Sequence, residues 1–316
     1  MTGLILLLGV GLALAIASAI ALTEFLLTHP PRRTYATALS RNRPGDPGEL
    51  RGVFQVDGTK PVGNWPREFD AWTFTHRGVS IPVWRIKGDD PNGPIAILTH
   101  GWGDSRIGAL SRVPYIARHC RACVMWDMPG HGDATGGTRL GSFEADFLAA
   151  VVRETTSEES PAEPDAPLML VGWSLGAGVS LVAASSDELK PRVARVIIEA
   201  PYRLIHTPAA SVLRAKGLPT GWTLHAALGV LGLAWGVGFK WRGFDRALHA
   251  AKVACPVLVL HGDADEVCPL EDAREIAAAA PNATLVVIPG GTHNAMWTDS
   301  ASLVRAVPAL DAFMAS

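Results

Sequence analysis

The hydrophobic pattern opens on its longest unbroken stretch. Residues 3–22, GLILLLGVGLALAIASAIAL, carry no charge and are long enough to cross a bilayer as a single helix. Residues 29–64 follow with the runs HPPRR and RNRPGDPG, rich in Pro, Gly and Arg, and read as a linker that lifts the rest of the chain off the membrane. Trp72–His76 and Val79–Ile86 flank Arg77-Gly78, the pattern of an antiparallel hairpin at a sheet edge. Apolar runs of strand length then recur at Ile95–Thr99, Cys123–Asp127, Leu168–Val171, Val193–Glu199, Val257–Leu260 and Leu285–Ile288. Helical periodicity marks Ser142–Glu154, Gly176–Ala184, Glu271–Ala280 and Ala301–Met314. Such alternation predicts an α/β fold: a mostly parallel sheet with right-handed crossovers and helices on both faces.

One segment breaks that rhythm. Between the sixth and seventh strands, residues 202–250 hold no clear strand, and Leu224–Phe239 is apolar all round with four glycines. It is short for a second membrane span. Open sheets bind ligands outside the carboxyl ends of their strands, so the segment is expected to form a helical cap over that end. The domains follow as 1–28 an anchor, 29–64 a linker and 65–316 a catalytic domain with 202–250 inserted as its cap.

Composition adjusts this picture in three places. Hydrophobic residues make up 48% and charged ones 18%, an apolar balance that agrees with membrane contact. A net charge of −2 with no basic stripe gives no case for nucleic-acid binding. The four cysteines are too few for a disulfide scaffold, and Cys120-Arg-Ala-Cys123 has no second pair to complete a zinc site, so those two read as packing residues. No Lys or Arg precedes the apolar run, whereas Arg32, Arg33, Arg41 and Arg43 follow it. This pattern favours an uncleaved single-pass anchor with the catalytic domain in the cytoplasm. The alternative is a signal peptide cleaved at Ala17-Ser18-Ala19, which would make the domain extracytoplasmic.

The candidate chemistry centres on residues 167–179, PLMLVGWSLGAGV. An apolar strand runs into Gly172-Trp173-Ser174-Leu175-Gly176 and then into a helix-forming segment. That is a strand–turn–helix with Ser174 at its apex and glycines where bulk would clash. A base is available in His293, in the loop directly after the last strand. Asp265, just beyond the preceding strand, can accept from the imidazole and set its tautomer, with Asp263 as the rival carboxylate. Two backbone N–H groups, of Leu175 and of Trp102 in the turn His100-Gly101-Trp102-Gly103, can form an oxyanion hole.

These stretches together resemble the α/β-hydrolase superfamily of serine hydrolases. The resemblance runs from about Trp72 to Met314 and rests on HGWG at 100–103, DMPGHG at 127–132, GWSLG at 172–176, CPVLVLHGDADEVCP at 255–269 and GGTHN at 290–294. Within the superfamily the chain is similar to monoacylglycerol lipases, acylaminoacyl-peptidase-like hydrolases and membrane-anchored α/β-hydrolase-domain proteins. The resemblance implies the α/β-hydrolase fold, and it makes 127–132 a structural loop with His131 outside the chemistry. Trp173 departs from the smaller or polar residues usual at its position, and Cys268 stands where Val is common.

The expected activity is hydrolysis of carboxylic esters of short-to-medium acyl chains through an acyl-enzyme on Ser174, with His293 and Asp265. No metal and no organic cofactor is expected. Trp173 would narrow the acyl pocket, and Trp235 and Trp241 of the cap would contact the substrate. Because no catalytic residue precedes Trp102, a chain beginning near His29 is expected to keep its activity. Two alternatives use the same fold: a peptidase or acyltransferase with the same residues, and a non-catalytic binding protein.

Overall fold

The computed structural model describes residues 2–41, 43–50, 53–54, 61–62, 65–157 and 165–316. Eight strands form the main sheet: β1 Phe69–His76, β2 Val79–Lys87, β3 Ile95–Thr99, β4 Ala122–Trp126, β5 Leu168–Trp173, β6 Val193–Glu199, β7 Val257–Gly262 and β8 Ala283–Ile288. Their order across the sheet is β8-β7-β6-β5-β3-β4-β2-β1. The six strands from β3 to β8 run parallel, and the β1–β2 hairpin adds antiparallel at the β4 edge, with Val83 opposite Trp126. The expected α/β class, hairpin and strand alternation are all present.

Burial explains the two kinds of strand. β3, β5 and β7 are covered on both faces by crossover helices and are buried at every position, which is why they read as unbroken apolar runs. β1 has only β2 beside it and alternates partly buried and exposed side chains. Successive residues of a strand feed opposite cores. Ile95, Ile97, Leu168 and Leu170 point into one, shared with the helices Glu144–Thr155 and Leu175–Ala184. Ala96, Leu98, Met169 and Val171 point into the other, closed by the helix Ser300–Ala315. Cys120 and Cys123 are buried there with their sulfurs 3.5 Å apart.

Between β6 and β7 the chain forms the helices His206–Ala215, Trp222–Ala234 and Arg246–Ala250. The first helix lies over the carboxyl end of the sheet, where a cap was expected, and contributes to the cavity described below.

The N-terminal segments correct the expectation of a spacer. The apolar helix extends over Thr2–Thr28, and its Leu4–Thr28 stretch is long and apolar enough to cross a membrane. Its last turns do not stand clear of the domain: Thr23 and Leu27 are buried, and the helix packs against the cap helix Trp222–Ala234. The residues that follow are docked as well. Arg32 donates to the carbonyls of Gly132 and Ala134, both at 2.8 Å, and Arg33 pairs with Asp104 at 2.7 Å. Ala38 and Leu50 join the second core. A Pro- and Arg-rich composition suggests a linker that lifts the domain off the membrane, but these guanidinium groups find carbonyl and carboxylate partners on the domain. Residues 42, 51–52, 55–60 and 63–64 of that linker lie outside the described residues.

Candidate active site

The site is assembled where β3, β5, β7 and β8 end. Ser174 follows β5 directly and is the N-cap of the helix Leu175–Ala184, with φ +52° and ψ −116°. A non-glycine residue there is strained, and the surroundings hold it: the Ser174 N–H donates to the Glu199 carbonyl at 2.9 Å at the end of β6. The two flanking glycines are steric requirements. A Cβ on Gly172 would collide with the Gly176 carbonyl oxygen, and one on Gly176 with that of Thr99. This second close approach seats the helix start against the end of β3. The His100–Gly103 turn therefore lies beside Ser174, where a Cβ on Gly101 would fall 3.3 Å from the Ser174 Cβ.

His293 and Asp265 are brought together by the ends of β7 and β8. Gly262, the last residue of β7, lies so close to Gly291 that a Cβ would strike the Gly291 carbonyl. The Ala264 N–H also bonds that carbonyl, at 3.1 Å. Across this junction Asp265 Oδ2 accepts from His293 Nδ1 at 2.8 Å, and the carboxylate side chain is 1% exposed. Its Oδ1 accepts from the N–H groups of Val267 and Cys268, both at 2.8 Å. Burial alone would raise this carboxyl; the His293 hydrogen bond and charge, with the two N–H donors, outweigh it and hold Asp265 below its ordinary range. Asp263, the rival carboxylate, is exposed and accepts instead from the Gly290 N–H at 2.6 Å.

Ser174 and His293 line one cavity of about 200 Å³, together with Trp102, Trp173 and Leu175. The cap contributes Ile205 and residues of its first helix to the wall. Trp235 and Trp241, expected at the substrate, are placed elsewhere. Trp241 is buried and donates to the Leu228 carbonyl at 2.6 Å, while Trp235 meets it edge-on with ring centroids 5.9 Å apart. They hold the cap's own turn together, because an indole in a helix-rich segment finds a carbonyl partner locally. Cys268 lies beside Ser174. Burial pushes its thiol well up, the Asp265 and Asp272 charges add to this, and a hydrogen bond with Ser174 opposes them. The sulfur stays protonated.

His100 and His131 do not enter the cavity wall. Burial lowers His100 to about 4 and His131 to about 3, so both rings are neutral. His100 Nδ1 donates to the Gly101 carbonyl at 2.8 Å, and its Nε2 accepts from the Met128 N–H at 2.9 Å. His131 Nδ1 donates to the Pro129 carbonyl at 3.0 Å. His261 is likewise buried, and its Nε2 donates to the Cys268 carbonyl at 3.0 Å. Among the described residues no group of three or more His, Cys, Asp and Glu side chains converges as a metal site requires.

Sequence reasoning missed two sets of residues. The first lies under the elbow. Glu199, at the end of β6, takes a bidentate pair from Arg112 at 2.9 and 2.8 Å and a hydrogen bond from Trp297 Nε1 at 2.8 Å. The Arg112 guanidinium stacks 3.8 Å over Trp173, whose indole donates to Asp104 at 3.2 Å. A Glu closing the apolar run VARVIIE was the available signal. The second is Leu27, which is 2% exposed and lines the cavity, while the Leu27 carbonyl accepts from Trp102 Nε1 at 2.9 Å. No local pattern marks it, because it lies near the end of the 25-residue apolar stretch Leu4–Thr28.

Comparison with known proteins follows this geometry. A profile of the alpha/beta hydrolase family matches residues 96–307. The pimeloyl-[acyl-carrier protein] methyl ester esterase of Chromobacterium violaceum is 29% identical over 251 residues, 68% of this chain and 93% of its own. The human protein ABHD12B is 26% identical over 293 residues, 82% of this chain and 76% of its own. Among solved structures, an esterase of Pyrococcus furiosus superposes with a TM-score of 0.59 at 18% identity, covering 81% of this chain and 99% of that one. The last likeness is one of fold.

Proposed function

Because the chain belongs to the α/β-hydrolase family, we propose that it is a membrane-tethered serine hydrolase cleaving carboxylic esters of short-to-medium acyl chains. One observation carries the reading: Ser174, strained at a strand–helix turn, opens on the same cavity as a His293 already oriented by a buried carboxylate. Ser174 Oγ attacks the ester carbonyl and passes its proton to His293 Nε2, while Nδ1–H stays bonded to Asp265. The N–H groups of Trp102 and Leu175 receive the oxyanion, helped by the helix N-terminus behind Leu175. Collapse breaks the C–O bond, and the leaving alcohol takes the proton from His293. Water, deprotonated by the same imidazole, then releases the acid and restores Ser174. The esterase named among the relatives supports an ester substrate. The cavity of about 200 Å³ is small beside ordinary ligand pockets of roughly 300–1,000 Å³, which supports a limited acyl length.

A graded series of activated esters, with amide and thioester analogues, tests this reading directly. Hydrolysis should peak at short-to-medium acyl esters, with covalent labelling by a fluorophosphonate. Ser174→Ala should abolish the label and cut turnover by a factor on the order of 10⁴ or more. A Ser174→Ala protein that hydrolyses esters at the wild-type rate would overturn the assignment. Faster cleavage of the amide would shift the reading to a peptidase.

A further inference from the structure

The membrane helix ends inside the active site. About 20 helical residues cross a hydrocarbon core of roughly 30 Å. Counted from Leu4, that length is used up near Thr23, where burial against the domain begins. Leu27 then falls at head-group depth, and it is both a wall of the cavity and the partner of Trp102. The cap helix packed against the anchor leaves Trp222, Val230 and Leu233 exposed, with Phe239 beyond it.

A second concavity opens beside the first. It has a volume of about 780 Å³ and shares Trp102, Asp104, Trp173 and Asn294 with the catalytic cavity. Arg32, Arg33, Arg41 and Arg43 line it, as does Arg112, which is paired with Glu199. Asp104 neutralises Arg33, and Arg32 is held by two carbonyls, which leave its charge uncompensated. Arg41 and Arg43 are exposed on the same rim.

We propose that cavity and cleft form one binding site for an acyl ester drawn from the bilayer. The acyl group lies against Leu27, and an anionic head group of the phosphate class lies among Arg32, Arg41 and Arg43. The inference rests on the hydrolase reading above and adds the source and charge of its substrate. A guanidinium pairs bidentately with phosphate oxygens, and at the edge of a low-dielectric cavity such a bond is worth more than in open water. The arrangement also explains why the segment after the anchor is docked rather than loose: it carries the head-group side of the site.

The test uses the full chain in uncharged detergent and two monomeric short-acyl esters, one of glycerol and one of glycerol phosphate. Wild type should prefer the phosphate ester by about tenfold in kcat/KM, chiefly through KM. That ratio should fall to near one in the Arg41→Gln/Arg43→Gln double variant. Leu27→Trp, checked for an unchanged melting transition, should shorten the accepted acyl chain. Equal kcat/KM for the two esters in wild type, or a preference surviving in the double variant, overturns the head-group site. If inorganic phosphate inhibits while the two esters remain equal, the cleft holds free anions and the proposal fails. It fails too if vesicle binding needs anionic lipid but the soluble pair is not distinguished, because the arginines then serve only the leaflet. An unmoved chain-length profile in Leu27→Trp removes the helix from the acyl site. Wild-type inactivity on both esters would instead count against the hydrolase reading itself.

Discussion

The floor and the roof of the cavity at Ser174 are built on different principles. The floor is made of strand ends: Ser174 after β5 and Asp265 after β7, both held by hydrogen bonds with backbone groups, and His293 after β8, held by the Asp265 carboxylate. The roof is made of Leu27, from the end of the N-terminal apolar helix, and the first cap helix, which meet only in the folded chain. Hydrogen-bonded strands fix positions to fractions of an ångström, as proton transfer demands. Apolar helix packing fixes a volume and tolerates adjustment. Disturbing the floor should therefore change kcat, and disturbing the roof should change which ester is accepted.

The sharpest way to break this comparison is at the carboxylates. Asp265→Asn should lower kcat by on the order of 10³ to 10⁴ with folding intact, since Asn favours the wrong imidazole tautomer. Asp263→Asn, at an exposed turn, should stay within about twofold. A reversed ranking in steady-state kinetics would move the orienting role to Asp263.

Next in size is the support beneath the elbow. Glu199→Gln leaves the Arg112 charge buried without its partner, at a cost of about 3–5 kcal/mol in denaturant unfolding. Because the Glu199 main chain also receives the Ser174 N–H, kcat should fall as well. A variant with full stability and activity would show that the floor does not depend on this pair.

The roof should respond more mildly. Leu27→Ala should lower kcat/KM for the preferred ester by about tenfold, matching loss of about 1.4 kcal/mol of apolar contact, and leave small acetates less affected. Trp235→Ala should leave the chain-length profile unmoved, because that ring packs on Trp241 and not on the cavity. A profile shifted by Trp235→Ala and unmoved by Leu27→Ala would invert the assignment of the roof. By the same argument a chain beginning near His29 should lose activity, contrary to what catalytic residues alone suggest.

Stability also changes with pH. His100 and His131, lowered to about 4 and about 3 by burial, are neutral in the folded protein but take protons near 6.5 once unfolded. The unfolded state then binds more protons, so stability is complete above about 6.5 and falls as the pH drops through that value. Each histidine should contribute roughly 1 kcal/mol per pH unit. Asp127, pushed up to about 6 by burial despite Arg106 beside it, has the opposite slope below that pH and should reduce the decline. Thermal melts between pH 7 and 5 measure the sum; a melting temperature that rises on acidification would contradict it.

What the sequence by itself determined is what neighbours along the chain can specify. Gly172 and Gly176 are required by close approaches within a strand–turn–helix, and the unbroken apolar runs of β3, β5 and β7 follow from burial on both faces. The placement of Ser174, Asp265 and His293 just after strand ends was legible for the same reason, since each of those strands is a recognisable apolar run. Tertiary structure alone decided which apolar side chains reach the cavity. Trp235 and Trp241 looked like substrate contacts by composition, but their ring N–H and edges found partners inside the cap. Leu27 looked like one more lipid-facing residue, yet the fold turns it inward against Trp102. Hydrophobic burial is non-directional and sets that a residue is covered, not by what. The covering partner here lies 75 residues away along the chain, beyond any local pattern.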